Sequence, residues 1–113
     1  MPNGKFPRSV AKRLGFTLDQ LRPSLTVDYI GNPYSASCML GLGAVLDISH
    51  PGDRIFMVSY GSGAGSDAFL WDVGEDIIRI QKERATAKNT VHDHIIRHTS
   101  ISYAEYLKKT HKI

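Results

Sequence analysis

Apolar positions along the chain follow two rhythms. From Arg54 to Val73, RIFMVSYGSGAGSDAFLWDV, an apolar run is followed by a glycine-rich loop and a second apolar run. Ile55–Tyr60 is nearly continuously apolar, without alternation, which predicts a strand covered on both faces. Ala68–Val73, rich in aromatic residues, predicts its partner, so the stretch reads as a strand-loop-strand hairpin. A lone hairpin is marginal in water, and a doubly covered strand needs neighbours on each side. The chain offers few other segments to supply them.

The remaining pattern is mainly helical. After the Pro2-Asn3-Gly4 turn, Pro7 suits a first helical turn, Val10 and Leu14 share a face, and Gly15 closes the helix. Thr17 with Gln20 forms a capping box ahead of Leu18 and Leu21, and Pro23 cuts that helix short. Leu25–Ile30 carries Thr, Val, Tyr and Ile and predicts a short strand or extended segment, broken by Gly31-Asn32-Pro33. Tyr34–Ile48 predicts a helix of small residues, Ser35, Ala36, Ser37, Gly41, Gly43 and Ala44, among larger apolar ones. Interior glycines cost about 1 kcal/mol each in helix propensity, so this helix is expected to lie buried between layers, closely approached. Asp76–Ile80 reads either as a third short strand or as the start of a helix. Thr90 with Asp93 caps a turn over Val91–Arg97, and Ser102 with Glu105 caps a helix over Tyr103–Lys109.

Composition narrows the class. The 113 residues, 42% of them hydrophobic, suit one folded domain. A net charge of +3 and a pI near 9.1 suit an anionic ligand without demanding one. The single cysteine, Cys38, excludes an intrachain disulfide and suits a reducing compartment. The N-terminus lacks a signal-peptide core, and the apolar stretch around Cys38–Ile48 falls short of the roughly 20 residues a bilayer span needs. The expected location is cytoplasmic, with no membrane partner.

Several residues carry candidate chemistry. The loop Gly61-Ser62-Gly63-Ala64-Gly65-Ser66 lacks the Gly-Lys-Ser/Thr ending of a P-loop, and it precedes a strand-like run where a dinucleotide motif opens a helix. It is either a wide hairpin loop or a place where backbone N–H groups approach a carbonyl oxygen or oxyanion. Cys38 has no basic neighbour in sequence to activate it and reads as a buried structural thiol. His92, His94 and His98 contain one helical i, i+4 pair but no matching Cys or carboxylate ligands, so they read as a polar helix face and no metal site is assigned. Asn32 is either a substrate-contacting amide or a turn residue before proline. Val10–Thr17 with Leu21 has a helix-turn-helix rhythm, yet Pro23 leaves a second helix too short to follow the major groove, so no nucleic-acid partner is assigned.

The segments PNGKFPRSVAKRLGF, IGNPYSAS and PGDRIFMVSYGSGAGSDAF, in that order and spacing, resemble the C-terminal portion of archaeal-type 3-hydroxy-3-methylglutaryl-CoA synthases, members of the thiolase superfamily. The tail ISYAEYLKKTHKI is similar to the end of those enzymes, so the resemblance spans nearly the whole chain. It implies an α/β chain forming a single partial domain over residues 1–113, the C-terminal part of a thiolase-like αβαβα fold. A mixed sheet would contain the Arg54 to Val73 hairpin, and the Tyr34 to Ile48 helix would be buried. The implied reaction condenses acetyl-CoA with acetoacetyl-CoA in the mevalonate route to isoprenoids, with both thioesters as substrates and no separate cofactor.

By the same resemblance Asn32 matches an active-site asparagine that positions the acetoacetyl substrate. Ser62, with the backbone of Gly61 and Gly63, matches a loop that stabilises the thioester oxygen, and Lys5 matches a lysine near the CoA entrance. The family's nucleophilic cysteine and acid/base glutamate lie in an N-terminal half, and Cys38 does not align with that nucleophile. Met1 stands where the residue after the family's motif histidine would be, and none of His50, His92, His94, His98 or His111 falls in that motif. The chain alone is therefore expected to be inactive. Its expected partners are the missing N-terminal half or a second copy of itself, CoA thioesters, and a thiolase as in archaeal relatives. A non-catalytic CoA-binding or assembly module is the alternative, with a helix-turn-helix protein behind it. Without a partner the chain is expected to expose apolar surface.

Overall fold

In the computed structural model, which describes residues 4–61 and 63–113, four short helical segments lead into a longer helix, a hairpin and three further helices. α1 spans Lys5–Arg13, with Lys12 and Arg13 complementing its C-terminal dipole and Gly15 (φ +85°) turning the chain. α2, Leu18–Leu21, starts on the predicted capping box: Gln20 N–H donates to Thr17 Oγ1 at 3.2 Å, and Thr17 N–H donates to Gln20 Oε1 at 2.9 Å. Pro23 then sits in a 3-10 turn over Arg22–Ser24.

The expected strand at Leu25–Ile30 is instead helix α3, Val27–Ile30. Local β-propensity loses to tertiary anchoring: Leu25 and Thr26 are buried at the helix entrance, Asp28 pairs with Arg8, and Gly31 (φ +74°) ends the turn. The small-residue helix exists as α4, Ala36–Leu46, two residues shorter at each end than predicted. The close approaches that its glycines imply are present. A Cβ at Gly41 would stand 3.3 Å from the Ser24 carbonyl oxygen, and one at Gly43 would stand 3.3 Å from Val91 Cγ2. The expected burial between layers is not found. Only Gly41 of α4 is buried and Met39 is exposed, because the described residues cover one side of this helix.

β1, Arg54–Tyr60, and β2, Ser66–Asp72, pair antiparallel with Ile55 opposite Trp71, Met57 opposite Phe69 and Val58 opposite Ala68. The base is closed by Gly52 N–H on the Val73 carbonyl (2.8 Å), Val73 N–H on the Asp53 carbonyl (2.9 Å) and the Arg54–Asp72 ion pair (2.7 Å). The hairpin is as predicted, but its covering is not. Ile55, Met57 and Ser59 are half-buried, Phe56, Val58 and Tyr60 are exposed, and every residue of β2 is exposed. Of the mixed sheet, the described residues contain only this antiparallel pair. Asp76–Ile80 belongs to helix α5, Asp76–Thr86, supported by an Arg79–Glu83 pair one turn apart. α6, Val91–Ile96, and α7, Tyr103–Lys109, begin on the two predicted capping boxes.

The core is small. Leu25, Val73 and Ile77 are the only buried apolar side chains among the described residues. An accessible surface of 8654 Å² compares with about 6200 Å² for a compact monomer of this mass. The radius of gyration, 16.3 Å, compares with about 13 Å. The chain thus presents the apolar surface expected of it, at residues such as Phe56, Leu70 and Trp71. No helix among the described residues is long and apolar enough to cross a membrane.

Candidate functional site

The candidate residues lie on three separate pieces of the fold. Gly61 and Gly63 belong to the hairpin loop, and Ser62 lies outside the described residues. The loop is narrowed by Gly61 N–H donating to the Gly65 carbonyl at 2.9 Å, so in this conformation the Gly61 donor is turned onto the loop itself. Gly63 (φ +97°) and Ala64 (φ +62°) make the reversal in the left-handed region, which explains a glycine at 63. Neither φ nor packing explains the glycines at 61 and 65. Both lie outside the left-handed range, and an added Cβ would meet nothing closer than 4.0 Å at Gly61 and nothing within 4 Å at Gly65.

Asn32 follows α3 in a strained segment. Gly31 has φ +74°, and two residues beyond Asn32, Tyr34 adopts φ +55°, a left-handed conformation costly for a bulky residue. The Asn32 side chain supports that bend: its Oδ1 accepts the Tyr34 N–H at 2.9 Å, closing an Asx turn. The turn role read from the sequence is therefore present, and the Tyr34 ring is left exposed beside it. Lys5 is exposed at the first position of α1.

The fold brings the Lys5 and Asn32 segments together. Arg8, one turn after Lys5, pairs with Asp28, four residues before Asn32, at 2.5 Å. The Arg8 hydrogen bond is the main cause holding the Asp28 carboxyl below its ordinary range. The glycine loop is attached less directly. Phe16, after α1, stacks on Phe56 of β1 with ring centroids 6.0 Å apart, and from Phe56 the strand runs on roughly 16 Å to Gly61.

Other sequence candidates have local roles. Cys38, expected to be buried, is only half-buried, and its thiol donates to the Ser35 carbonyl at 3.4 Å. His92, His94 and His98 are exposed, but α6 ends at Ile96, so the expected helical pair of His94 and His98 does not share one helix. His94 Nε2 meets Asn89 Oδ1 at 2.7 Å, and His98 Nδ1 contacts the Ile95 carbonyl. Among the described residues no cluster of three metal-ligating side chains forms. Two shallow recesses, one beside Arg79 and Glu83 and one beside Arg8, Lys12 and Phe16, are lined by neither Asn32 nor the loop glycines.

One polar cluster left almost no trace in the sequence. Asp47 accepts Arg84 Nε at 2.7 Å, Arg84 Nη2 at 3.3 Å and Val91 N–H at 2.7 Å. Gln81 Nε2 donates to the carbonyls of Leu46 and Ser49, each at 2.7 Å. The spacing Ile77, Gln81, Arg84 on one face of α5 is the available signal, but nothing in the sequence names Asp47 as its target.

Comparison with known proteins identifies what the chain is similar to. It is 46% identical over 112 residues to a hydroxymethylglutaryl-CoA synthase of Methanopyrus kandleri and 49% identical over 112 residues to that of Methanosarcina barkeri. Each match covers 99% of this chain and 31% of the relative. The synthase of Picrophilus torridus is 57% identical over 84 residues, 74% of this chain and 24% of the relative. The resemblance read from the three motifs therefore holds across nearly the whole chain, which corresponds to the C-terminal portion of such synthases. The chain spans about 31% of the length of the relatives matched in full. No protein-family model matches it.

Proposed function

We propose that this chain is the C-terminal part of a hydroxymethylglutaryl-CoA synthase-like enzyme with a thiolase-type layered fold, acting in the cytoplasm on acetyl-CoA and acetoacetyl-CoA. The observation that carries this reading is the identity of 46 to 49% maintained over 112 residues. In this reading Asn32 orients the acetoacetyl group and the Gly61–Gly63 loop forms one wall of the thioester site. Lys5 meets the CoA phosphates.

The structure supplies supporting features. Glycines at 61 and 65 that neither backbone nor neighbours require keep the loop free of side chains, which suits the approach of a thioester or of another polypeptide segment. The strained bend at Asn32–Tyr34 is the sort of segment that functional sites retain. The uncovered hairpin suits a chain completed by further layers. The covalent step needs a nucleophile and an acid/base carboxylate from those layers, since Cys38 sits within α4 bonded to its own helix. The chain alone is therefore inactive in this proposal, and the N-terminal part of a synthase is its first partner.

A chimera tests the reading. When the C-terminal portion of the Methanosarcina barkeri synthase is replaced by this chain, CoA release from acetyl-CoA and acetoacetyl-CoA is expected. Asn32→Ala in the chimera should lower it by about 100-fold, as for loss of one positioned donor to the reacting carbonyl. A folded chimera without turnover, or one indifferent to Asn32→Ala, overturns the proposal. The first of these outcomes is the one that a non-catalytic assembly module, built around the same exposed hairpin, would give.

A further inference from the structure

The residues joining the first two candidate segments have no assigned role. The Arg8 guanidinium forks onto Asp28, with Nη1 3.3 Å from Oδ1 and Nη2 2.5 Å from Oδ2, and Nη1 also donates to the Gly4 carbonyl at 2.9 Å. This fork fills the space over Gly4. A Cβ at that position would stand 2.1 Å from Arg8 Nη1 and 2.6 Å from Asp28 Oδ1. Gly4 has an ordinary right-handed φ of −72°, so room for the fork, and no backbone requirement, accounts for the glycine.

α1 packs lightly on the other described residues. It has no buried residue, and Val10 and Leu14 are exposed. On the other side of the fork the order is continuous. Gly31 N–H closes α3 on the Val27 carbonyl at 3.1 Å, and Asn32 then holds Tyr34 N–H. The fork thus grips α3 at Asp28, and α3 runs directly into the Asn32 bend.

We propose that Gly4, Arg8 and Asp28 are positioning residues that hold the Lys5 end of α1 in register with the Gly31–Asn32 segment. Their consequence for substrate rests on the reading that Lys5 and Asn32 touch one CoA thioester at separated points. A ligand held at two points is sensitive to the spacing between them, and a bidentate guanidinium–carboxylate fork sets spacing and angle together. Lysine at position 8 would retain the charge and lose the fork.

The test uses the chain itself, by amide hydrogen exchange and CoA titration followed in NMR spectra. Gly4→Ala displaces the flexible end of Arg8 without straining the backbone, and Asp28→Asn removes the acceptor charge. Each is expected to accelerate exchange at Gly31 and Tyr34 about two-fold to five-fold, the range for an exposed ion pair, while Phe56 and Leu70 in the hairpin stay unchanged. Gly4→Ala should add nothing in an Arg8→Gln background. The Kd for CoA should rise by a similar factor in both single variants. Unchanged exchange at Gly31 and Tyr34, or equal acceleration throughout the hairpin, overturns the proposal. If CoA leaves the wild-type resonances of Lys5 and Asn32 unmoved, the CoA reading fails on its own, and the exchange data still decide whether the fork sets the register.

Discussion

In the assembly of α4, α5 and α6, the buried charge finds partners within the chain, although the Ser37 hydroxyl of α4 is buried without one. Asp47, with only 9% of its side chain exposed, takes both the Arg84 fork and the Val91 N–H, and Gln81 bonds the carbonyl of the last α4 residue, Leu46, and that of Ser49 beyond it. In the hairpin, paired backbone carries apolar side chains left largely in solvent, with Leu70 60% exposed and Trp71 45% exposed. Burying a charge without partners is costly, so the Asp47 carboxylate must be satisfied inside the helical assembly. Exposed apolar groups carry no such local penalty, and their stabilisation is realised only when another surface arrives. The first region satisfies its charge within the chain, and the second leaves its apolar side chains largely in solvent.

The strongest way to break that contrast is at Asp47. Asp47→Ala removes three hydrogen-bond contacts and leaves Arg84 without its carboxylate, and is expected to destabilise the chain by about 2–3 kcal/mol in urea unfolding. A loss below about 0.5 kcal/mol would mean that the helical assembly is not the stable unit.

Acidification acts more gently. Thr90 hydroxyl and backbone hydrogen bonds hold the Asp93 carboxyl below its ordinary range, and the Ser102 backbone N–H does the same for Glu105, followed by the Ser102 hydroxyl. Their folded values lie below the unfolded ones, so the stabilisation is complete above the ordinary carboxylate range and is lost as pH falls through the lowered values. Helical circular dichroism from α6 and α7 should therefore decline below about pH 4, where unperturbed carboxylates begin to protonate. A signal flat to pH 2 would remove these caps from the account.

The smallest effect is expected in the hairpin. Leu70→Ser should alter the stability of the isolated chain by less than about 0.5 kcal/mol, because most of that side chain is already in water. A loss above 1 kcal/mol would show that the hairpin face is packed in solution and would erase the contrast.

Local signals in the sequence were the most legible. The three Ser/Thr-x-x-polar boxes placed the starts of α2, α6 and α7, because a cap is satisfied within four residues and needs no tertiary context. The hairpin and the close approach to Gly41 and Gly43 were likewise readable. Leu25–Ile30 departs from the expected strand because its β-branched residues report a weak preference, whereas Leu25 burial and the Arg8–Asp28 fork decide its shape. Continuous apolarity in Ile55–Tyr60 predicted coverage that this chain does not supply. Such a run records the surroundings a strand is suited to, and those need not come from the same chain. In the candidate site, Asn32 and the glycine loop were legible as motifs. The fork and the Asp47 cluster were not, because each joins residues twenty or more positions apart.

The open hairpin also governs how the chain behaves at high concentration. Ile55–Tyr60, IFMVSY, has no charge, proline or glycine, and β2 bears its only charges at Asp67 and Asp72, near its two ends. An uncharged six-residue run in a strand with one edge unpaired among the described residues suits the growth of intermolecular cross-β stacks. Any surface that covers this edge would then also protect against fibril nucleation.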